Sequence, residues 1–390
     1  LKPCHEAAHK GIAPAGRRLR RLCRLPGNTA VRIAVDAMGT DAPPDVEVEG
    51  AVQASLSSDV EVVLVGDEAL LREKLSSLPK MGNIQVRHAP ERIGPHEQPV
   101  LAVRKKKQSS LLVAMRMVKE GEAQAVISAG NTGAVMVAAR ILLGTIPGVS
   151  RPAVSQTLPN LTGKAVVLDL GANVDCSARQ LCQFAEMGVA YSRYALGVQH
   201  PRVALLNIGE ENLKGGAIAR EAHATLSQAK HLNFIGNVEP RAMTEGRADV
   251  VVCDGFVGNL FLKTTEAVAY FMGKLIRETF ESTSMSKLGA VLARKALLQM
   301  KHTVDPNEYP GAPLLGINGT VIILHGSCTA KGVENAILGT RAAVENNLID
   351  HIRENIRLLR NVETEATEAK EEPAPDDTSA PLTADTVIEP

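Results

Sequence analysis

The stretch VRIAVDAMG, at residues 31–39, places a short apolar run directly before a turn made of Asp, Gly and small residues. Eight further runs have the same character, and helix-like stretches lie between them. Continuous apolar strands that alternate with helices indicate an α/β fold, a mostly parallel sheet sandwiched by helices. The predicted strands are residues 31–37, 60–65, 84–88, 125–128, 165–170, 203–207, 233–236, 250–253 and 321–324, and the clearest predicted helices are residues 100–119, 132–143, 177–196 and 217–229.

Composition agrees with one large domain or two lobes. The chain has 390 residues, of which 45% are hydrophobic and only 3% aromatic, with a formal net charge of zero. A near-neutral chain argues against a dedicated nucleic-acid binder. No apolar run is long enough to span a bilayer, and the N-terminus lacks a secretory signal. Six scattered cysteines without metal-ligand spacing indicate reduced thiols, as in a cytoplasmic protein.

The two ends differ from the middle in charge. Residues 1–30 carry seven Lys/Arg and one Glu, and they are predicted to be a disordered basic extension, or not native if translation starts at Val31. Residues 362–390 carry nine Asp/Glu and one Lys among Pro, Ala and Thr, so no folded structure is expected there. The catalytic domain is therefore predicted to be residues 31–361.

Turns rich in Gly, Asn and Asp follow six of the predicted strands. In parallel sheets, ligands bind at the carboxyl ends of the strands, so these turns are expected to meet at one edge. Glycine lets backbone N–H groups approach a ligand closely, and a turn that opens into a helix attracts anions. For a single turn, ordinary turn chemistry is an equal alternative. The six turns are residues 36–39, 128–133, 169–173, 207–210, 236–239 and 254–259.

Two further surfaces have a charge pattern. Arg104, Lys105, Lys106 and Lys107 open a predicted helix and are either a solvated helix surface or a dock for an acidic partner. The sequence of residues 266–301 predicts an amphipathic helical hairpin. Its role is either to lie on an anionic bilayer, to form a dimer contact or to pack against the core. In it, Lys287, Arg294 and Lys301 recur every seven residues, and Leu288, Val291, Leu292 and Leu298 are assigned to the other side.

Eight motifs in family order make the chain resemble the PlsX-type phosphate acyltransferases of bacterial phospholipid synthesis. They are VRIAVDAMG (31–39), RKKKQSS (104–110), SAGNTGA (128–134), LDLGANVD (168–175), LLNIGEE (205–211), NFIGNVE (233–239), VVCDGFVGNLFLKTTE (251–266) and YPGAPLLGINGTVIILHGS (309–327). Three departures stand out: Thr40 replaces a second glycine, Gln98 an acidic residue, and Cys328–Thr329 the usual Ser–Asp.

The resemblance implies a fold similar to that of the isocitrate and isopropylmalate dehydrogenases and the phosphate acetyltransferases. It implies transfer of a fatty acyl group from acyl carrier protein to inorganic phosphate by a homodimer without metal or organic cofactor. It also implies a cytoplasmic enzyme on an anionic membrane surface, whose acyl phosphate feeds a glycerol-3-phosphate acyltransferase. An acyl-CoA-dependent, phosphate acetyltransferase-like enzyme and a non-catalytic lipid-surface scaffold are the rival interpretations.

We expect a phosphate oxygen to attack the thioester directly, in a site that orients both reactants and stabilises an oxyanion. Asn131 is the expected oxyanion donor, Lys263 a neutralising charge and His325 a proton shuttle or a structural histidine. Asp36, Asp169 and Asp254 are expected to orient their loops. The predicted phosphate and substrate site comprises Asp36, Gly39, Gly130, Thr132, Gly133, Asp169, Asn173, Asn207, Asn237, Asp254, Gly258 and Asn259.

Overall fold

A computed structural model describes residues 30–371, apart from the side chains of residue 306 and residues 365–371. The strands are β1 (Val31–Asp36), β2 (Val60–Gly66), β3 (Ile84–His88), β4 (Ala125–Ser128), β5 (Ala153–Asn160), β6 (Gly163–Leu168), β7 (Arg202–Leu206), β8 (Asn233–Val238), β9 (Val250–Val252), β10 (Ala312–Leu315) and β11 (Thr320–Ile323). The helices are α1 (Asp45–Ser57), α2 (Glu68–Ser76), α3 (Pro99–Lys105), α4 (Ser110–Lys119), α5 (Thr132–Leu142), α6 (Ala178–Tyr194), α7 (Ala217–Gln228), α8 (Pro240–Thr244), α9 (Gly255–Glu281), α10 (Ser284–Val304), α11 (Ala330–Glu345) and α12 (Leu348–Glu371), with a 3-10 turn at Pro306–Glu308.

All eleven strands form one sheet in the order β3-β2-β1-β4-β11-β10-β5-β6-β9-β7-β8. The predicted fold class is confirmed, because most neighbouring strands are parallel and helices cover both faces. One face carries a single apolar cluster that includes residues of α4 and α5. The other face carries two clusters, one under α1 and α11 and one under α6, α7 and α12.

Two strands absent from the prediction reverse the sheet. The central strand β10 is antiparallel to both β11 and β5, and β5 is antiparallel to β6. The strands β1, β2, β3, β4 and β11 therefore run one way, and β6, β7, β8 and β9 run the opposite way. The expectation that all six turns follow strands ending at one edge of the sheet is wrong.

The register nevertheless brings the strand ends of both halves to one level. Ser128 pairs with Asp36 on one side and with Ile323 on the other. Leu168 pairs with Ser155, whose preceding residue pairs with Leu314 of β10. Through β10, Leu168 lies within one residue of the level of Ile323. The strands of the two half-sheets run in opposite directions, yet their carboxyl ends lie at the same level and form a single row across the sheet. In this row β4 and β6 are roughly 19 Å apart, at about 4.8 Å per strand.

Two predicted segments need correction. The helix expected at residues 100–119 is divided into α3 and α4, because the chain turns at residues 106–109. The tail expected to be unfolded from Val362 continues α12 to Glu371, with Glu363 paired to Arg179 at 2.9 Å. Val362 also packs against the cluster under α6, which ties the start of this stretch to the domain. Residues 1–29 and 372–390, the subjects of the two disorder predictions, lie outside the described residues.

The predicted hairpin is formed by α9 and α10, and it begins earlier than expected, at Gly255. Within α10 no residue is buried, and Leu288, Val291 and Leu292 are all exposed. At 100° per residue, Val291 lies about 40° around the helix from Lys287, and Leu298 lies about 40° from Arg294. The apolar and cationic faces are therefore adjacent, rather than opposite as expected. None of the described helices combines the length and apolarity needed to cross a bilayer.

Candidate functional site

The first group of turns follows β1 and β4. Asp36 is buried, and its Oδ2 accepts a hydrogen bond of 2.7 Å from Ser128 Oγ, while Oδ1 accepts one from the Met38 N–H. Burial raises the pKa of Asp36, and hydrogen bonds from Ser110 and Ser128 oppose this rise. Gly39 packs so closely on the next turn that a Cβ would lie 2.7 Å from the Gly130 nitrogen. Asp36 therefore orients the two turns through its bond to Ser128, and Gly39 lets their backbones meet closely.

Asn131 caps helix α5 and ties it to a neighbouring loop. Its Oδ1 accepts the Ala134 N–H at 3.0 Å, and its Nδ2 donates to the carbonyls of Pro95 and Glu97 at 2.9 and 3.1 Å. Both amide hydrogens are committed, so Asn131 does not serve as the expected oxyanion donor in this conformation. The N–H groups of Thr132 and Gly133 open the helix and have no acceptor within it. They remain the donors that an anion can use.

His325 follows β11, the strand next to β4. Its Nδ1 accepts the Ser327 N–H at 3.2 Å and lies 2.7 Å from Ser327 Oγ. Because Nδ1 accepts a backbone N–H, this pattern assigns the ring proton to Nε2. The ring is exposed and presents an N–H near the strand ends of the first group. In this tautomer Nε2–H is a hydrogen-bond donor, and it can pass on its proton only if the ring takes up another.

The predicted basic surface is divided between two roles. Arg104, Lys105 and Lys107 are exposed, as a docking surface requires. Lys106 instead turns inward, donating to Glu97 Oε1 at 2.5 Å and to the Arg92 carbonyl at 2.7 Å. This hydrogen bond lowers the pKa of Glu97. Lys106 and Asn131 therefore both bond to the loop at residues 92–97. The run of four basic residues in the sequence did not indicate this role for Lys106.

The second group follows β6 and β9. Asp169 is fully buried and accepts hydrogen bonds from the N–H groups of Val154, Ala172 and Asn173 and from Asn173 Nδ2. Burial raises its pKa, and the bonds from Asn173 and the backbone oppose the rise. Asp254 caps α9 by accepting the Val257 N–H at 2.8 Å. These acids orient their own turns, as predicted, and leave few polar groups free.

The start of α9 differs from the predicted phosphate cradle. The Gly258 N–H donates to Asp254 O within the helix, and a Cβ at Gly258 would lie 1.9 Å from Asp169 O. This glycine allows close packing and has no N–H to offer an anion. Asn259 packs against Gly171, and Lys263 pairs with Glu266 at 2.8 Å. The assignment of phosphate to Gly258 and Asn259 therefore lacks a free backbone donor.

The third group follows β7 and β8, next to the second. Asn207 Nδ2 donates to Lys214 O, and its Oδ1 accepts the Ile208 N–H. Asn237 is buried and donates to Glu211 O at 2.8 Å. Both amides order the loop between β7 and α7. Among the described residues, no backbone hydrogen bond joins the turns of this group or of the second group to those of the first.

The structure thus gathers the site residues in two places. Asp36, Gly39, Gly130 and the start of α5 form one cluster, with His325 on the adjacent strand. The remaining turns form another cluster in the same row of strand ends. Sequence reasoning missed Ser128 and Glu97, although Ser128 ends a predicted strand beside a glycine-rich turn, which is the position of a ligand-binding residue. Cys253 is buried, and burial raises the pKa of its thiol well above its usual value, so it is no nucleophile.

Comparisons with known proteins identify the family and the fold. A family model described as "Fatty acid synthesis protein" matches residues 31–351. The chain is 46% identical over 329 residues to a phosphate acyltransferase from Pelotomaculum thermopropionicum, covering 84% of this chain and 96% of that protein. It is also 46% identical over 338 residues to one from Geobacter sulfurreducens, covering 86% and 96%. Among solved structures, a phosphotransacetylase from Streptococcus pyogenes aligns with a TM-score of 0.54 at 18% identity, covering 81% of this chain and 94% of that one, which shows a shared fold.

Proposed function

Because the chain belongs to the fatty acid synthesis protein family, we propose that it transfers a fatty acyl group from acyl carrier protein to inorganic phosphate. The supporting observation within the site is the open start of α5. There the N–H groups of Thr132 and Gly133 follow the Gly39–Gly130 contact, and the positive end of the helix dipole favours an anion. The product is an acyl phosphate, the mixed anhydride expected of a phosphate acyltransferase.

The chemistry needs no enzyme nucleophile. A phosphate oxygen attacks the thioester carbonyl, forming the C–O bond, and the C–S bond breaks to release the carrier thiolate. The attacking hydrogenphosphate loses its proton as the C–O bond forms, and the departing thiolate takes one up, so the protons balance. His325, on the strand next to β4, is the group that passes this proton from phosphate to sulfur. The helix start holds the phosphate in place, so orientation and electrostatic stabilisation account for most of the rate.

The direct test is incubation of the protein with palmitoyl-acyl carrier protein and labelled phosphate. We expect labelled acyl phosphate, trapped by hydroxylamine as the hydroxamate, together with one free carrier thiol per turnover. Release of the thiol without label in the acyl product would indicate hydrolysis and contradict the proposal. Membrane binding without any thiol release would favour the non-catalytic scaffold.

The exposed cations Arg104, Lys105 and Lys107 support a carrier-protein donor. A carrier protein is acidic, and charges at the rim of an interface mainly speed encounter. Changing all three to Glu should lower kcat/KM for palmitoyl-acyl carrier protein at least tenfold at low salt. Turnover of palmitoyl-CoA should fall far less. Equal losses with both donors would favour the acyl-CoA-dependent, phosphate acetyltransferase-like alternative.

The hairpin of α9 and α10 supports two further partners, a second copy of the chain and an anionic membrane. Its exposed apolar side chains have no cover within the described residues. An exposed apolar area of this kind marks an interaction surface. We propose that one part of the hairpin pairs with its counterpart in a homodimer and another meets lipid, where a membrane glycerol-3-phosphate acyltransferase would take the acyl phosphate. The proposal places the enzyme in the cytoplasm, peripherally bound to membrane.

A further inference from the structure

Exposed apolar side chains follow three adjacent strands of the second half-sheet. Val174 comes after β6, Phe256 after β9 and Ile208 after β7, and these side chains are 61, 61 and 83% exposed. Polar residues are expected at such turns. Leu260, one helical turn after Phe256, is also exposed and shares its side of α9. The strand order therefore gathers four apolar side chains at the row of strand ends.

Backbone contacts fix two of these residues beside each other. The Gly255 N–H donates to Asn173 O at 2.8 Å. Phe256 is the residue after Gly255 and Val174 is the residue after Asn173, so the two lie beside each other. On the next strand, Leu205 pairs with Val252, so Ile208 and Phe256 extend past neighbouring strand ends at similar levels. Neighbouring strands are about 4.8 Å apart, which is close enough for these side chains to form one patch.

We propose that Val174, Ile208, Phe256 and Leu260 bind the fatty acyl chain of the donor, an inference that rests on the proposed acyl transfer. The polar side chains of the same turns, Asp169, Asn173 and Asn207, are already bonded to their own loops. What the turns offer to a ligand is consequently apolar. Of the acyl group and the phosphate that are joined in the reaction, only the acyl chain has apolar surface to bury.

The position of the patch fits a long donor. Its turns lie in the same row of strand ends as the start of α5, on the other half-sheet. A fatty thioester is extended, so its carbonyl can approach the first cluster while its chain contacts the second. Each methylene that leaves water contributes about 0.8 kcal/mol, so the patch favours long chains over short ones.

The test compares palmitoyl- and butyryl-acyl carrier protein with Val174→Ser, Ile208→Ser and Phe256→Ser. These side chains are exposed, so the variants should fold, which circular dichroism checks. We expect the ratio of kcat/KM for palmitoyl over butyryl donor to fall at least tenfold. Leu161→Ser is the matched control, because Leu161 is 86% exposed at the opposite end of β6 and should keep the wild-type ratio.

Several outcomes would overturn the inference. An unchanged ratio of kcat/KM for the two donors, or an equal loss with both, would show that the patch does not bind the acyl chain according to its length. A change of molecular mass in solution or of vesicle binding, at constant ratio, would assign the patch to a second copy or to lipid. Wild-type protein that forms acyl phosphate from neither donor would instead contradict the proposed function itself.

Discussion

At the scale of single residues, Gly39 is the position with least freedom in the first cluster. A Cβ there would lie 2.7 Å from the Gly130 nitrogen and 2.9 Å from the Ala129 nitrogen, and both are backbone atoms. Gly39→Ala should lower the free energy of unfolding by about 1–3 kcal/mol, as overpacking does, and lower turnover at least tenfold. Urea unfolding and the acyl phosphate assay measure the two effects.

Gly273→Ala is the control for this prediction. Gly273 lies inside α9 with no atom within 4 Å of an added Cβ. Alanine should stabilise that helix by roughly 0.5–1 kcal/mol and leave turnover unchanged. If Gly39→Ala behaved like Gly273→Ala, the backbone contact between the two turns would have no role in activity.

Asn131 has two separable tasks, and a serine at this position would keep only one. The hydroxyl can still cap α5, whereas the two amide donors to Pro95 and Glu97 are lost. Asn131→Ser should therefore unfold at nearly the wild-type temperature but turn over at least tenfold more slowly, since the loop is free to move. Asn131→Ala should lose stability as well, by about 1 kcal/mol. Wild-type turnover in the serine variant would exclude the loop tether from catalysis.

At the scale of elements, a buried pair joins α6 to the turn before β8. His231 Nε2 lies 2.6 Å from Oε1 of Glu186, which is fully buried. This hydrogen bond raises the pKa of His231 above its usual 6.5. A raised folded-state pKa means that the stabilisation is complete below pH 6.5 and is lost as the pH rises through the folded-state value.

The free energy of unfolding should accordingly fall by an amount on the order of 1 kcal/mol as the pH rises from 6 to 8. Burial also raises the pKa of Glu186, and His231 opposes that rise, so His231→Gln alone would leave a titrating acid. The double variant His231→Gln with Glu186→Gln should remove most of this slope, because glutamine does not titrate. Urea titrations at pH 6, 7 and 8 supply the measurement, and Ser227→Ala, which leaves the pair intact, is the control. Parallel curves for wild type and the double variant would refute the assignment.

The cation stripe of α10 predicts how the hairpin meets lipid. Lys287, Arg294 and Lys301 are exposed, and each Lys or Arg near an anionic surface contributes roughly 1 kcal/mol. Changing all three to Gln should weaken binding to phosphatidylglycerol vesicles by about 100-fold, with little change for phosphatidylcholine vesicles. Lys331→Gln, on α11, is the matched control in a sedimentation assay. Unchanged binding would remove the stripe from the membrane proposal.

The elements show what local pattern can and cannot predict. All nine predicted strands exist, and each belongs to a parallel ladder. Most are buried apolar runs, whereas the edge strands β3 and β8 are largely not buried. The strands β5 and β10 were missed because they break that pattern: β5 contains buried Ser155 and Thr157 and ends near Pro159. The Ser155 hydroxyl donates to Pro313 O of β10, a long-range partner that no local window contains.

The site was predictable to the same extent. The turns were identified because Gly, Asn and Asp directly follow apolar runs, and the orienting role of Asp169 follows from its place in such a turn. The commitment of the Asn131 amide was not predictable, since its acceptors lie on a loop some 35 residues earlier in the chain. The loss of the Gly258 N–H to its own helix required knowing where α9 begins.

At the scale of the whole molecule, α12 covers part of one face of the sheet. The helix continues further toward the C-terminus than the acidic composition of the chain suggests. Val362 packs against the cluster under α6, and Glu363 pairs with Arg179. A chain that ends at residue 361 should unfold about 1 kcal/mol more easily than one that ends at residue 371. Denaturant midpoints compare the two, and identical midpoints would show that this last stretch contributes nothing.

At β10, where the strand direction reverses, the sheet is held together by few paired residues. Only two residue pairs join β10 to β5, and two join it to β11, while the outer ladders are longer. We therefore expect any bending of the sheet to occur at β10, where it would change the distance between the two clusters while leaving each half intact. A donor that contacts both clusters would restrict this bending, and it would thereby fix the distance on which its own alignment depends.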